Sequence, residues 1–369
     1  MKTQRADFTD VRATNLAVVL RHLRVNGPSS RAAIAASTGL NKATVSSLTS
    51  DLIDQRLLRE TGLTGNRIGR PSTALALDGS AYAAIGLQVT ADRLTALAVD
   101  YAGEQLLLWH RVFEKGRVSA ITALAQRAAS RVRQQGRHVL GLTVAVPGFD
   151  RFGADLGGVL SGSLRQPDLS VAVANHTGLA AVAELRHGGY PDGTNLAYVT
   201  AAAGIEAGLV VDGRLLPDAG RIGRFSLGPA GAPTLEDLAG VGQLVRRVLQ
   251  GADPESLADL SPAVEQVTAQ ARAGDTGTLA ALDDTGRYLG QGLALVANLV
   301  NPEVIALGDH YAALATWLVP AAEAEMARHT ESSARLVASA LGLHAAALGG
   351  AVAHLDRIDT GELPAHPRD

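Results

Sequence analysis

The stretch from Thr14 to Asp78 constrains the fold of this chain more than any other. TNLAVVLRHLRVNG places Leu16, Val19, Leu20 and Leu23 at helical spacing and stops at Gly27-Pro28. Ser30 can cap a second helix, RAAIAASTG, which ends at Gly39. Asn41 can cap a third, KATVSSLTSDLIDQRLL, with Val45, Leu48, Leu52 and Ile53 on one face. Only Gly39-Leu40-Asn41 separates the second helix from the third. Two helices joined by so short a turn form a helix-turn-helix, whose last helix enters the DNA major groove N-terminus first.

The residues at the start of that third helix suit the task. Asn41, Lys42, Thr44, Ser46 and Ser47 are small or polar and can approach phosphates and base edges without burying an unpaired charge. RETGLTGNRIGRPSTALALD follows, two extended segments around a glycine-rich tip, which reads as a wing. Arg67 and Arg70 lie in its basic NRIGRP segment, a type of arm that settles in a narrow AT-rich minor groove. Charge agrees: residues 1–80 hold 11 Lys and Arg against 6 Asp and Glu, whereas the remainder carries an excess of acid. Double-stranded DNA is the expected partner of this first segment.

Composition removes other classes. The chain has 369 residues and no cysteine, which excludes disulfides, thiolate nucleophiles and cysteine-ligated metal sites. MKTQRADFTD lacks the apolar run of a secretory signal, and the richest apolar stretch, LGQGLALVANLV, is too short for a membrane span. A soluble cytoplasmic protein without membrane partners is expected. Histidines 187, 310, 329 and 344 show no metal-ligand spacing, and no metal or cofactor is expected.

From Ala83 the register changes to an α/β pattern. AAIGLQVTADRLTALAVDYAGEQLLLWHRVF reads as a three-strand meander, followed by a helix from Ala120 to Gln134 and the buried strand HVLGLTVAVPG. VAVANHTGLAAVAE then runs from a strand end, through the polar turn Asn175-His176-Thr177-Gly178, into a helix. Such a position often carries chemistry in α/β proteins. A second meander begins at Asn195, which predicts two related lobes with a cleft between them. The end of the chain, from Leu355, reads as a frayed tail.

Several stretches in order make the chain similar to the ROK family, which joins bacterial sugar kinases with repressors that carry an added winged helix. They are GRP (Gly69-Arg70-Pro71), AVPG (Ala145 to Gly148), GLVVDGRLL (Gly208 to Leu216), NPEVIALG (Asn301 to Gly308) and ALGLHAAALGGAVA (Ala340 to Ala353). The resemblance implies an α/β fold: an N-terminal winged helix-turn-helix over 1–80, then a ribonuclease-H/actin-like body. Lobe 1 would span 81–194 and lobe 2 195–369, with the last helix returning to lobe 1. It also implies a homodimer or higher oligomer on an inverted-repeat operator.

Kinase residues of that family are missing here. The first phosphate loop reads GLQVTADRL, with Gln88 where a threonine belongs; the second reads Ala202-Ala203-Gly204-Ile205-Glu206, placing a carboxylate that would repel phosphate. Asn175 matches the catalytic Asn-Asp pair but His176 replaces its aspartate. Arg221 replaces a sugar-binding glutamate, Arg224 a zinc-binding histidine, and Glu236 matches one remaining sugar contact. Arginine keeps its proton and cannot ligate zinc. A regulator without kinase activity is expected. Asn175, His176, Arg221, Arg224 and Glu236 would form a cleft for a sugar-derived or anionic effector, or else the two arginines pair with Glu236 or Asp218 and nothing binds. The alternatives are a ligand-independent DNA-binding and dimerisation protein, or a sugar kinase with a DNA-binding appendage.

Overall fold

The computed structural model describes residues 8–63, 73–90, 93–112, 118–147, 151–164, 169–191, 193–201, 204–217, 220–249 and 259–364. Three helices open the chain: α1 (Phe8–Asn26), α2 (Arg31–Thr38) and α3 (Lys42–Asp54). Ser30 caps α2 by accepting the Ala33 N–H, and α2 ends at Gly39, whose φ of 73° suits a residue without a side chain. Asn41 caps α3 by accepting the Thr44 N–H at 2.8 Å. The sequence pattern carries this helix to Leu58, but it stops at Asp54. Arg56 takes a left-handed φ of 57°, and Leu58 already belongs to a strand.

That strand, β2 (Leu58–Leu63), pairs with β3 (Thr73–Leu77), and β3 pairs with the short β1 (Ser29–Ser30). The result is a three-helix unit with a small antiparallel sheet, a winged helix. The wing tip with Arg67 and Arg70 lies outside the described residues.

Lobe 1 holds β4 (Tyr82–Val89), β5 (Arg93–Asp100), β6 (Gln105–Val112), α4 (Val118–Gln134), β7 (His138–Val146), α5 (Arg151–Leu164) and β8 (Ser170–Asn175). Its strands lie in the order β6-β5-β4-β7-β8. Strand β4 is buried at every position, which is why YAAIGLQV shows no alternation: both faces of the sheet are covered. On α4, Ile121, Leu124, Ala125, Ala128 and Val132 form the buried stripe that covers one of them.

Lobe 2 repeats the plan. It contains β9 (Leu196–Thr200), β10 (Glu206–Val211), β11 (Arg214–Leu215), β12 (Val304–Leu307) and β13 (Arg335–Ala338), in the order β11-β10-β9-β12-β13. Numbered within each lobe, both sheets read third, second, first, fourth, fifth. Helices α7 (Leu235–Ala239), α8 (Val241–Val248), α9 (Leu260–Arg272), α10 (Thr276–Val300) and α11 (Asp309–His329) accompany it.

Each lobe sends its last helix to the other. The helix α6 (His176–His187), which follows β8, packs on β9 and β10 of lobe 2, while α12 (Ala345–Asp359), which follows β13, packs on β4, β5 and β7 of lobe 1. Glycines permit these close approaches. A Cβ on Gly86 would lie 1.7 Å from the Ala347 carbonyl oxygen, and one on Gly208 would lie 2.4 Å from the Thr177 carbonyl oxygen.

The C-terminus corrects the sequence reading. The stretch from Leu355 to Asp359 is no frayed tail: it completes α12, with Leu355 and Ile358 buried, while residues 365–369 lie outside the described residues. They share one core with Leu16, Leu20 and Leu23 of α1 and with Tyr82 and Tyr101 of lobe 1. Leu355 and Ile358 stand at helical spacing, but the α1 surface that buries them is more than 300 residues away in sequence, so no local pattern could reveal it. Among the described residues, no helix is long and apolar enough to cross a membrane, and no His/Asp/Glu group could hold a metal ion.

Candidate nucleic-acid interface and interlobe cleft

At the start of α3 polar side chains face outward. Asn41, Lys42, Ser46 and Ser47 are exposed and Thr44 is half-buried, while Val45, Leu48 and Leu52 anchor the opposite face in the core. Asn41 is exposed but its Oδ1 is used as the cap, so it shapes the helix start as well as facing outward. The helix is braced on both sides. Arg31 donates to the Thr49 hydroxyl at 3.2 Å and to Glu60 on β2 at 3.0 Å, and Arg12 of α1 pairs with Asp51. Arg31 therefore fixes α3 relative to the wing. Nothing local in the sequence marks it, because its partners lie on two other elements.

The interlobe residues tell a different story. Asn175 closes β8 and caps α6, its Oδ1 accepting the N–H groups of Thr177 at 2.8 Å and Gly178 at 3.1 Å. His176 is 3 % exposed, so it is buried in the first turn of α6 and does not form an open wall. The Thr177 hydroxyl donates to Glu206 on β10 at 2.8 Å, a bond from lobe 1 to lobe 2. A hydroxyl has one proton, so the 3.3 Å contact between Thr177 Oγ1 and His176 Nε2 needs the imidazole N–H as donor. In the neutral ring Nδ1 is then a bare acceptor, buried without a partner among the described residues.

Glu206, expected from sequence to repel a phosphate, instead serves as the acceptor of this bridge. One residue earlier, the Ile205 N–H donates to Glu236 Oε2 at 2.6 Å. Burial raises the Glu236 pKa, an effect opposed by that N–H and reinforced by neighbouring Asp237. The turn before β10 is thus held from two sides, by α6 and by α7. Residues Ala202 and Ala203 of this loop lie outside the described residues.

Arg221 and Arg224 flank a short 3-10 turn (Ile222–Arg224) and are both exposed. Neither forms an ion pair with Glu236, whose Oε2 is engaged by Ile205; Asp218 is outside the described residues. Gln88, where the resemblance implies a phosphate-loop threonine, is buried and spans the start of α12: its Nε2 donates to the Leu343 carbonyl at 2.9 Å and its Oε1 accepts the Ala347 N–H at 3.3 Å. That glutamine has become part of the seat for α12. Sequence reading missed the Thr177–Glu206 bridge and this use of Gln88, since each joins residues on different lobes or at opposite ends of the body.

Comparison with known proteins fits this geometry. The profile of the ROK family matches residues 160–357, more than half of the chain. The xylose repressor of Bacillus spizizenii is 26 % identical over 370 residues, covering 93 % of this chain and 95 % of that protein. A crystal structure of a ROK family transcriptional regulator, a homolog of the Escherichia coli MLC protein, superposes with a TM-score of 0.75 at 22 % identity, over 96 % of this chain and 98 % of that one. A ROK family glucokinase from Streptomyces griseus, solved with glucose and AMPPNP, reaches a TM-score of 0.61 at 20 % identity over 73 % of this chain and 98 % of its own. The kinase likeness thus omits about a quarter of the chain, whereas the regulator likeness extends over nearly all of it. A winged helix joined to two lobes of one sheet order, together with that profile match, makes this chain a member of the ROK family.

Proposed function

We propose that this ROK-type DNA-binding transcriptional regulator acts as a repressor, binding an inverted-repeat operator as a homodimer and performing no phosphotransfer. The exposed N-terminal turn of α3, braced from both sides, is the observation that carries the reading. Its polar residues Lys42, Ser46 and Ser47 are offered outward on a helix whose position is fixed, as groove recognition needs. Two such helices about one DNA turn apart require a dimer. Arg67 and Arg70 of the wing would add minor-groove contacts on AT-rich flanks.

The cleft supports an effector that donates hydrogen bonds. Among the described residues His176 Nδ1 is a buried acceptor without a partner, and the carboxylates of Glu206, at the start of β10, and Glu236, on α7, hold the turn before β10 from either side. These favour hydroxyl groups over an anion, and the arginines that suggested an anion are exposed. A neutral sugar is therefore the effector class of choice, in keeping with the name of the xylose repressor. The absence of phosphotransfer is supported by Gln88 and Glu206, whose polar atoms serve packing between elements.

Selecting duplex DNA from a random pool with the purified chain, then measuring affinity by fluorescence anisotropy with neutral pentoses, hexoses and sugar phosphates, tests these points. A selected palindrome, bound less tightly with one neutral sugar, is expected. Failure to enrich any sequence would overturn the regulator reading. A second reading, operator binding indifferent to every sugar, is favoured by the engagement of Asn175 and Glu236 with backbone N–H groups, and the same titration would reveal it.

A further inference from the structure

We propose that α1 pairs antiparallel with the α1 of a second copy of this chain, along a stripe formed by Val11, Val18 and Val25. The proposal deepens the functional reading above: it rests on the chain acting as a homodimer and names where the two DNA-binding domains meet.

Helix α1 is apolar on two sides. Leu16, Val19, Leu20 and Leu23 face the core of the winged helix and are at most 3 % exposed. Val11, Val18 and Val25 fall on the opposite side in one line, because each step of seven residues drifts only about 20° from two full turns. Val11 is 49 % exposed and Val25 69 %, and Val18 between them is half-buried. Large exposed apolar side chains are few among the described residues, and two of them stand on this line. The core accounts for one apolar face of a helix; a second, at seven-residue spacing, is a seam for another helix.

The described neighbours of α1 leave that seam open. They are α2, α3, β3 and α12, which take its core side and one flank. On that flank Arg24 donates from Nη2 to Asp359 Oδ1 of α12 at 3.1 Å and to the Tyr101 carbonyl at 3.2 Å. A second copy is the occupant that fits. Two DNA-binding domains must lie side by side on one operator, and a two-fold contact brings a surface against itself. Three valines per copy fall well short of the about 1,200–2,000 Å² that a stable interface buries. The seam therefore joins the DNA-binding domains of a dimer that the body also holds.

Charge selects the direction. An antiparallel pair centred on Val18 seats Val11 against the partner's Val25 and Arg21 against the partner's Asn15. A parallel pair would bring Arg21 and His22 against their own copies, a like-charge contact that costs binding energy. Antiparallel helices also set their dipoles head to tail. The space at the end of the seam agrees. Beside Val25 lies a cavity of about 380 Å³, bordered by Arg21, Val25, Leu185, Val210 and Leu215. Because α1 begins at Phe8, just before Val11, the antiparallel partner's first turn comes to the mouth of this cavity.

The chain has no cysteine, so introduced thiols report the contact without interference. Light scattering on the full chain first gives its mass; a monomer would overturn the homodimer reading and this proposal with it. In the dimer, mild oxidation is expected to link Val18→Cys chains about tenfold faster than chains carrying Ala36→Cys, an exposed position on α2, since a disulfide needs Cα atoms within about 7 Å. Val11→Cys and Val25→Cys chains, tagged differently and coexpressed, are expected to form the mixed disulfide in preference to either self-linked product. Equal rates for Val18→Cys and Ala36→Cys in a dimeric chain would overturn the proposal and leave the homodimer reading standing; that is the result if residues 1–7 of the same chain cover the stripe. Self-linkage of Val11→Cys or of Val25→Cys in preference to the mixed product would overturn it as well, by showing a parallel pair.

Discussion

The first turn of α3 and the first turn of α6 use the same chemistry to opposite ends. Each begins with an asparagine cap, Asn41 in one and Asn175 in the other, and each is followed by short polar residues. In α3 those residues face outward; in α6, His176 and Thr177 are buried, and Thr177 is bonded across the lobes. The difference lies in what covers the helix. Among the described residues nothing covers the start of α3, whereas α6 sits between two sheets. A polar helix start left open can recognise a partner, and one that is covered must spend its hydrogen bonds on the fold.

Breaking the open helix should alter recognition and leave folding intact. Lys42→Glu replaces an exposed cation with an anion, and operator affinity should fall by about 2 kcal/mol, roughly thirtyfold, with a shallower salt dependence. Anisotropy titrations at several salt concentrations would measure both, and the urea midpoint should not move. Unchanged affinity would take Lys42 out of the interface.

Breaking the covered site should do the reverse. Glu236→Ala leaves the Ile205 N–H without its acceptor and should cost about 1–3 kcal/mol of stability. Asn175→Ala removes the cap of α6 and should cost about 1 kcal/mol. Urea unfolding of each variant checks these values; a smaller loss for Glu236→Ala than for Asn175→Ala would show that a ligand-like water or another group replaces the carboxylate.

The smallest effect concerns pH and the α12 seat in lobe 1. His354 is buried against Thr143, with Nε2 2.9 Å from its hydroxyl, and burial holds its pKa below the ordinary histidine value, helped by Arg357 and opposed by a backbone bond at Leu142. The folded chain thus resists a proton that the unfolded chain accepts. Its contribution is fully present above about pH 6.5, the unfolded value, and is lost as pH falls below that toward the folded value. His354→Gln should flatten the fall in stability between pH 7 and pH 5, read from urea midpoints; an unchanged slope would assign the pH dependence to other groups.

How much of this was legible in the sequence follows from the range of the interactions. The caps Ser30 and Asn41, the buried stripe of α3 and the meanders beginning at Ala83 and Asn195 depend on neighbours within a few residues, and their patterns are plain. The candidate cleft was legible only through the family resemblance, which implies other residues at the positions of His176, Arg221 and Glu206. Their actual roles were not. His176 is buried, Glu206 accepts from Thr177, and the arginines are exposed, because each role is set by an element far away in the chain.

The sequence by itself determined the winged helix and the two-lobe α/β class, since local periodicity and capping are sufficient for these. Only the tertiary structure decided that Gln88 seats α12, that Glu206 bridges the lobes, and that the C-terminal residues Leu355, Ile358 and Asp359 hold the DNA-binding domain in place. Those roles depend on burial and on a partner brought near by the fold, and neither is encoded in the spacing of adjacent residues.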